Sequence, residues 1–192
     1  RQTNKREDEF GKGSDGRMRI AEEILTRARR ELGTDFVMGC RINGDEFVLG
    51  GNTLADSRLI AQQLEALGSN FIDVSAGGRS EADGSRGYAF ERCIPPREMP
   101  DAVNAYLAEE IRHQVNVPII HAGKIGHPAV AETMLEEGKA DLIALGRPLL
   151  ADPFFAKKAV EGDWDDIQLC RFDNGCMEDF SKGHPWTCMV YK

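Results

Sequence analysis

Val117-Pro118-Ile119-Ile120-His121-Ala122-Gly123-Lys124-Ile125 and, one helix later, Leu142-Ile143-Ala144-Leu145-Gly146-Arg147-Pro148-Leu149-Leu150-Ala151-Asp152-Pro153 decide how this chain is read. In each, a short apolar run meets a glycine and turns straight into a helix. Glycine there lets a phosphate approach the backbone, where free N–H groups and the positive helix end await it. Two such turns on neighbouring parallel strands make a phosphate clamp. In a (β/α)8 barrel that clamp commonly follows strands 7 and 8, which places this chain in the second half of such a barrel.

The rest of the chain keeps the same alternation. Apolar spacing from Met18 to Ala28 predicts a helix over Arg17 to Glu31, ending near Gly33. A strand follows over residues 35–42, then a Gly-rich loop and a helix from Leu54 to Leu67 with Thr53 as N-cap. Phe71 to Ser75 is the next strand. The loop from Ala76 to Pro100 exceeds the usual connection length, which marks it as functional. Helix 102–114, strand 117–122, helix 128–137, strand 141–145 and helix 150–160 complete four β-α units, hence a parallel sheet. The fold class is α/β: the C-terminal half, strands 5 to 8, of a TIM barrel. Residues 1–163 form that half-barrel, and 164–192 an irregular cysteine-bearing tail with neither helical nor strand period.

Composition narrows the function classes. The 192 residues carry 32 acidic against 24 basic side chains, and a net charge of −8 argues against nucleic acid or an anionic membrane as partner. A hydrophobic content of 41% suffices for a packed core. No apolar stretch approaches a membrane span and no signal-peptide pattern opens the chain. The expectation is a cytoplasmic protein whose sequence starts inside a longer one. Five cysteines point to thiols or metal ligands before disulfides.

Five motifs in order resemble the FMN oxidoreductases of the old yellow enzyme superfamily. They are Asn4-Lys5-Arg6-Glu7-Asp8-Glu9-Phe10-Gly11 with Arg17 and Arg19, Gly39 to Phe47, Val74-Ser75-Ala76-Gly77, and the two phosphate turns. The tail narrows the resemblance to the iron–sulfur branch, which includes 2,4-dienoyl-CoA reductase, 2-enoate reductase and trimethylamine dehydrogenase. The resemblance implies that Gly123 and Lys124, with Gly146 and Arg147, hold the FMN phosphate. Ser75 and Gly77 give close backbone approach, and Arg41 lies beside the pyrimidine edge of the flavin. Chemistry supports that last role, because reduced flavin carries negative charge there and a planar guanidinium stabilises it.

Each assignment has a plainer competitor. Arg41 at a strand end also suits a surface ion pair, and glycines at 123 and 146 also serve tight strand-to-helix packing. Cys40 reads as a small buried residue, and Cys93 has no partner at metal spacing. His113 reads as structural, His121 as a core imidazole, His127 as a cap, and His184 falls in the tail. No acid or base is assigned.

Cys170 and Cys176 flank Arg171-Phe172-Asp173-Asn174-Gly175, and eleven residues later comes Cys188. The iron–sulfur branch has four cysteines in such a tail; here Asp173 stands in the second cysteine's place. A carboxylate is harder than sulfur and holds iron more weakly. A four-iron cluster with Asp173 or water as fourth ligand, a three-iron cluster, and ordinary thiols all remain open.

Other positions depart from the family pattern. Gly11-Lys12-Gly13-Ser14-Asp15-Gly16-Arg17 agrees only at its outer residues, and Arg79 stands where dienoyl-CoA reductases carry a proton-relaying histidine. Strands 1 to 4 and a Gly-x-Gly-x-x-Gly turn are missing.

The resemblance thus implies a hydride carrier: NAD(P)H or a small organic donor reduces flavin N5, which passes the electrons to a small-molecule acceptor or a cluster. The expected partner is the missing N-terminal half-barrel, on this chain or another, within an oligomer. The alternatives are a non-catalytic half-barrel subunit and a flavin-free phosphosugar-type barrel enzyme.

Overall fold

A computed structural model of the chain describes residues 4–78 and 88–191; Arg79 lies outside them. Four strands pair in chain order and in parallel: β1 (Gly39–Asn43), β2 (Phe71–Ser75), β3 (Ile119–Ala122) and β4 (Leu142–Ala144). Alternation decides which side of the sheet is dry. Ile72 and Val74 sit in register with Ile119 and His121, and all four are buried. Against the apolar three pack α2 (Leu54–Ala66), through Ala61 and Leu64, and α4 (Ala105–Arg112), through Leu107, Ala108 and Ile111. Each fully buried aliphatic side chain there contributes roughly 1.5–3 kcal/mol. Residues on the alternate positions, Arg41, Asp73 and Leu142 among them, lie on the opposite face.

Local signals set the helix starts. Thr53 caps α2 reciprocally, its hydroxyl accepting from Asp56 N–H while Asp56 accepts from Thr53 N–H. His127 caps α5 (Pro128–Glu136) by accepting from Ala129 N–H at 3.1 Å, with Pro128 pre-set at the first helical position.

Several boundaries differ from expectation, each for a local reason. Helix α1 (Gly13–Leu32) begins before Arg17, and the strand expected from residue 35 begins only at Gly39. Arg29 takes the carbonyls of Gly33, Thr34 and Phe36, and Asn70 Oδ1 accepts from Met38 N–H, so backbone groups of this stretch bond side chains instead of a ladder. Helix α4 starts at Ala105 because Ala102 has φ +50° and donates to Lys124 O. The helix expected over 150–160 is two, α6 (Arg147–Ala151) and α7 (Phe155–Glu161). Pro153 forces Asp152 into an extended conformation between them. The long loop holds a short helix, α3 (Tyr88–Cys93), pinned by Arg92 between the rings of Phe47 and Tyr88. The tail, expected to be irregular, forms α8 (Gly175–Ser181).

The tail lies on the strand ends. Asn174 Nδ2 donates to Ile94 O, Arg97 Nε to Arg171 O, and Tyr191 hydroxyl to Ala151 O. Among the described residues no helix is long and apolar enough to cross a membrane.

The sheet is part of a barrel. Its edge strands β1 and β4 have one described strand partner each, and Leu142 is 51% exposed on the uncovered face. Unpaired edges and exposed apolar surface drive association. The 192-residue chain produced alone is therefore expected to sediment as dimers or larger species, and a stable monomer in analytical ultracentrifugation would contradict the half-barrel.

Candidate functional site

A cavity of about 720 Å3 opens at the C-terminal ends of the strands. Its size is that of a small-molecule or cofactor site. Arg41, Ser75, Gly123, Lys124, Gly146 and Arg147 all line it, so it gathers every expected flavin contact except Gly77. Cys93, Phe172, Met177 and Trp186 contribute walls from the long loop and the tail.

The ends of β1 and β2 are tied by side chains. Ser75 Oγ donates to Asn43 Oδ1 at 2.7 Å, and Asn43 Nδ2 donates to Gly77 O at 2.7 Å. Gly77, at φ +63°, packs against α3 instead: a β-carbon there would lie 2.0 Å from Ala89 O. Asn43 is a positioning residue that sequence reasoning missed; its only signal was an Asn-Gly pair at a strand end.

Arg41 reaches across the uncovered face to Asp73, with Nη1 3.0 Å from Oδ2. The guanidinium is mostly exposed and tied at one nitrogen. Asp73 Oδ1 is buried without a hydrogen-bond partner. Burial pushes the Asp73 carboxyl above its ordinary range, and Arg41 opposes that only in part.

The two glycine turns differ. Gly123 sits at φ +148°, a conformation few side chains adopt. At Gly146 the space where a β-carbon would stand is open, so its bare backbone admits close approach at the cavity wall. That opening fits a flavin phosphate. The neighbouring cations are held elsewhere. Lys124, its side chain 6% exposed, donates to Arg97 O and Met99 O and stands 3.5 Å from Asp101. Arg147 donates to Pro95 O and to Asn174 Oδ1. Burial lowers its pKa, while Cys170, Cys176, Cys93 and Asp173 pull it back up.

Cys176 and Cys188 are buried and Cys170 half-buried, all as free thiols. Burial raises the Cys170 and Cys176 thiols, Arg147 draws them down, and Cys188 adds to the rise. Asp173 Oδ1 accepts from Gly175 N–H in the turn into α8. As these side chains lie, no three His, Cys, Asp or Glu residues among those described form a group that could hold a metal ion. The donors are of iron–sulfur type; their arrangement is not that of a ready site.

His121 supports the first turn from behind. It is fully buried, with Nε2 3.3 Å from Gly123 O and Nδ1 unpartnered. Burial lowers its pKa from 6.5 to about 4. The neutral ring donates from Nε2, so the imidazole is only half satisfied and does not reach the cavity.

Between the folded value of about 4 and the unfolded 6.5, the unfolded chain binds more protons. The contribution of His121 to stability is therefore constant above that window and falls as pH drops through it, by about 3 kcal/mol. Urea midpoints measured from pH 7 to pH 4 are expected to fall, and His121→Leu is expected to remove part of that slope.

The sequence profile of the NADH:flavin oxidoreductase / NADH oxidase family matches residues 1–166. An NADH oxidase of Thermoanaerobacter brockii is 39% identical over 176 residues, covering 91% of this chain and 26% of that protein. A metal reductase of Desulforamulus reducens is 33% identical over 191 residues, covering 98% of this chain and 27% of that protein. The structure of a 2-naphthoyl-CoA reductase complex with 2-naphthoyl-CoA superposes with a TM-score of 0.87 at 32% identity, covering 99% of this chain and 28% of that one. The chain spans about a quarter of the length of these relatives.

Proposed function

The chain belongs to the NADH:flavin oxidoreductase / NADH oxidase family, and we propose that it is the FMN-phosphate half of the barrel of a flavin-dependent oxidoreductase. The observation that carries this reading is convergence: both glycine turns and Arg41 line one cavity at the strand ends. NAD(P)H or a small organic donor would supply the hydride, and a small activated molecule would receive it. The first half of the barrel, with strands 1 to 4, completes the site.

Bound FMN supplies N5, the atom that accepts and returns hydride. The chain's own residues do the holding. The open backbone at Gly146 and the turn at Gly123 would admit the phosphate, and buried Lys124 and half-buried Arg147 would add positive potential behind those turns. Ser75 and Asn43 lock the neighbouring strand ends. Asp73 holds Arg41 at one nitrogen, and the guanidinium would stabilise the negative charge that a reduced flavin carries at its pyrimidine edge.

The visible spectrum of the intact protein tests this directly. A flavin absorbance that bleaches with NAD(P)H supports it; a colourless protein that binds sugar phosphates instead favours the phosphosugar reading. Arg41→Ala is expected to lower the flavin reduction potential and slow reduction about tenfold, equivalent to about 1.4 kcal/mol. Stopped-flow reduction and redox titration measure both, and unchanged values would remove Arg41 from the site.

For the tail we infer that Cys170, Cys176 and Cys188, with Asp173 fourth, are the donors an iron–sulfur cluster would use after side-chain rearrangement. Anaerobically purified protein is then expected to contain acid-labile sulfide, and Asp173→Cys to retain iron better under oxidation. Iron and sulfide both absent after anaerobic reconstitution would show that the thiols are ordinary.

A further inference from the structure

We propose that Phe172 is a positioning residue for the flavin site: its ring, carried on the cysteine tail, clamps the cations of both phosphate turns and seats the tail on them. This deepens the flavin reading and rests on it.

The ring is in contact with two charges. Lys124 Nζ is 5.3 Å and Arg147 Cζ 4.8 Å from its centroid, both within cation–π range. Phe172 is 7% exposed, and it reaches this place at φ +52°, a left-handed backbone that a bulky side chain adopts only when its surroundings compel it. The surroundings are identifiable. Gly126 leaves room for the ring edge, since a β-carbon there would lie 2.6 Å from Phe172 Cε2. Arg171 O is held by Arg97, and Asn174, also left-handed at φ +60°, is held by Arg147 and donates to Ile94 O.

The choice of an aromatic partner has a physical reason. A buried cation needs compensation, yet another carboxylate between the turns would repel the phosphate they are shaped to admit. The face of a ring attracts both cations while carrying no net charge. Asp101, 3.5 Å from Lys124, is half exposed and weakened by solvent. Displacing Phe172 therefore loosens Lys124, Arg147 and the tail together, and occupancy of the cavity and seating of the tail favour one another.

The test titrates FMN into the intact apoprotein of the wild type and of Phe172→Leu, Phe172→Tyr and Gly126→Ala, by flavin fluorescence. Amide hydrogen exchange over residues 170–176 is followed in parallel without flavin. Phe172→Leu is expected to raise the FMN Kd about tenfold and to speed exchange in the tail, while Phe172→Tyr, which keeps the ring, stays within about twofold. Gly126→Ala, which pushes the ring aside without altering it, is expected to match the leucine variant and carries the test should that variant not fold. An unchanged Kd in Phe172→Leu, or an equal loss in the leucine and tyrosine variants, overturns the proposal. Wild-type protein that binds no FMN sinks the flavin reading instead; in that case tail exchange that Phe172→Leu leaves unchanged overturns the seating role on its own.

Discussion

Burial of Ile72, Val74 and Ile119 against α2 and α4 sets the strand register, and the register assigns every polar residue of the sheet to a side. Side chains alternate with period two, so a slip of one residue would exchange the faces. In the observed register Arg41 pairs with Asp73 and Asn43 with Ser75, on the face where neither α2 nor α4 packs. His121 shares the buried side with Val74, which is why it braces the Gly123 turn and takes no place in the cavity. Hydrophobic burial, which has no direction of its own, thus decides which polar groups can touch a ligand.

Desolvation then decides what Lys124 and Arg147 do. A cation drawn out of water, fully as Lys124 or partly as Arg147, must be compensated by the protein itself. Lys124 finds carbonyls of residues 97 and 99, Arg147 finds Pro95 O and Asn174, and both find the ring of Phe172. These bonds fasten the 94–101 loop and the tail over the strand ends. The two residues are charges and tethers at once, and holding them in place before a ligand arrives reduces what must be ordered when it does.

Much of this was legible because the deciding physics is local. Thr53 with Asp56 is a reciprocal cap within four residues, Pro128 after His127 is a helix start, and Gly123 and Gly146 follow apolar runs too short to be anything but strands. What escaped is non-local. Arg29 draws the backbone of residues 33–36 away from the sheet, and it also bonds Gly68 O and Asn70, far along the chain. The break at Asp152 was readable from Pro153, but a buried carboxylate accepting from Phe154, Lys158 and Gln168 was not. Phe172 stands in the sequence only as one of the residues that Cys170 and Cys176 flank. Nothing in the spacing of cysteines says that an aromatic between them faces two strand-end turns.

The uncovered face carries an energetic deficit. Arg41, Asp73, Ile120 and Leu142 stand in register across the four strands and form one layer, the unit from which barrel interiors are built. In that layer Leu142 meets solvent and Asp73 Oδ1 is buried without a partner. An orphaned buried acceptor costs about 1–3 kcal/mol, and the exposed leucine forgoes a comparable burial energy. Covering the layer would remedy the apolar part and would desolvate Arg41 and Asp73 further. Removing water strengthens their attraction, and a guanidinium held to Asp73 at one nitrogen keeps donors for whatever enters the cavity. The ion pair is therefore poised to become a fixed electrostatic element only when the barrel is closed around it.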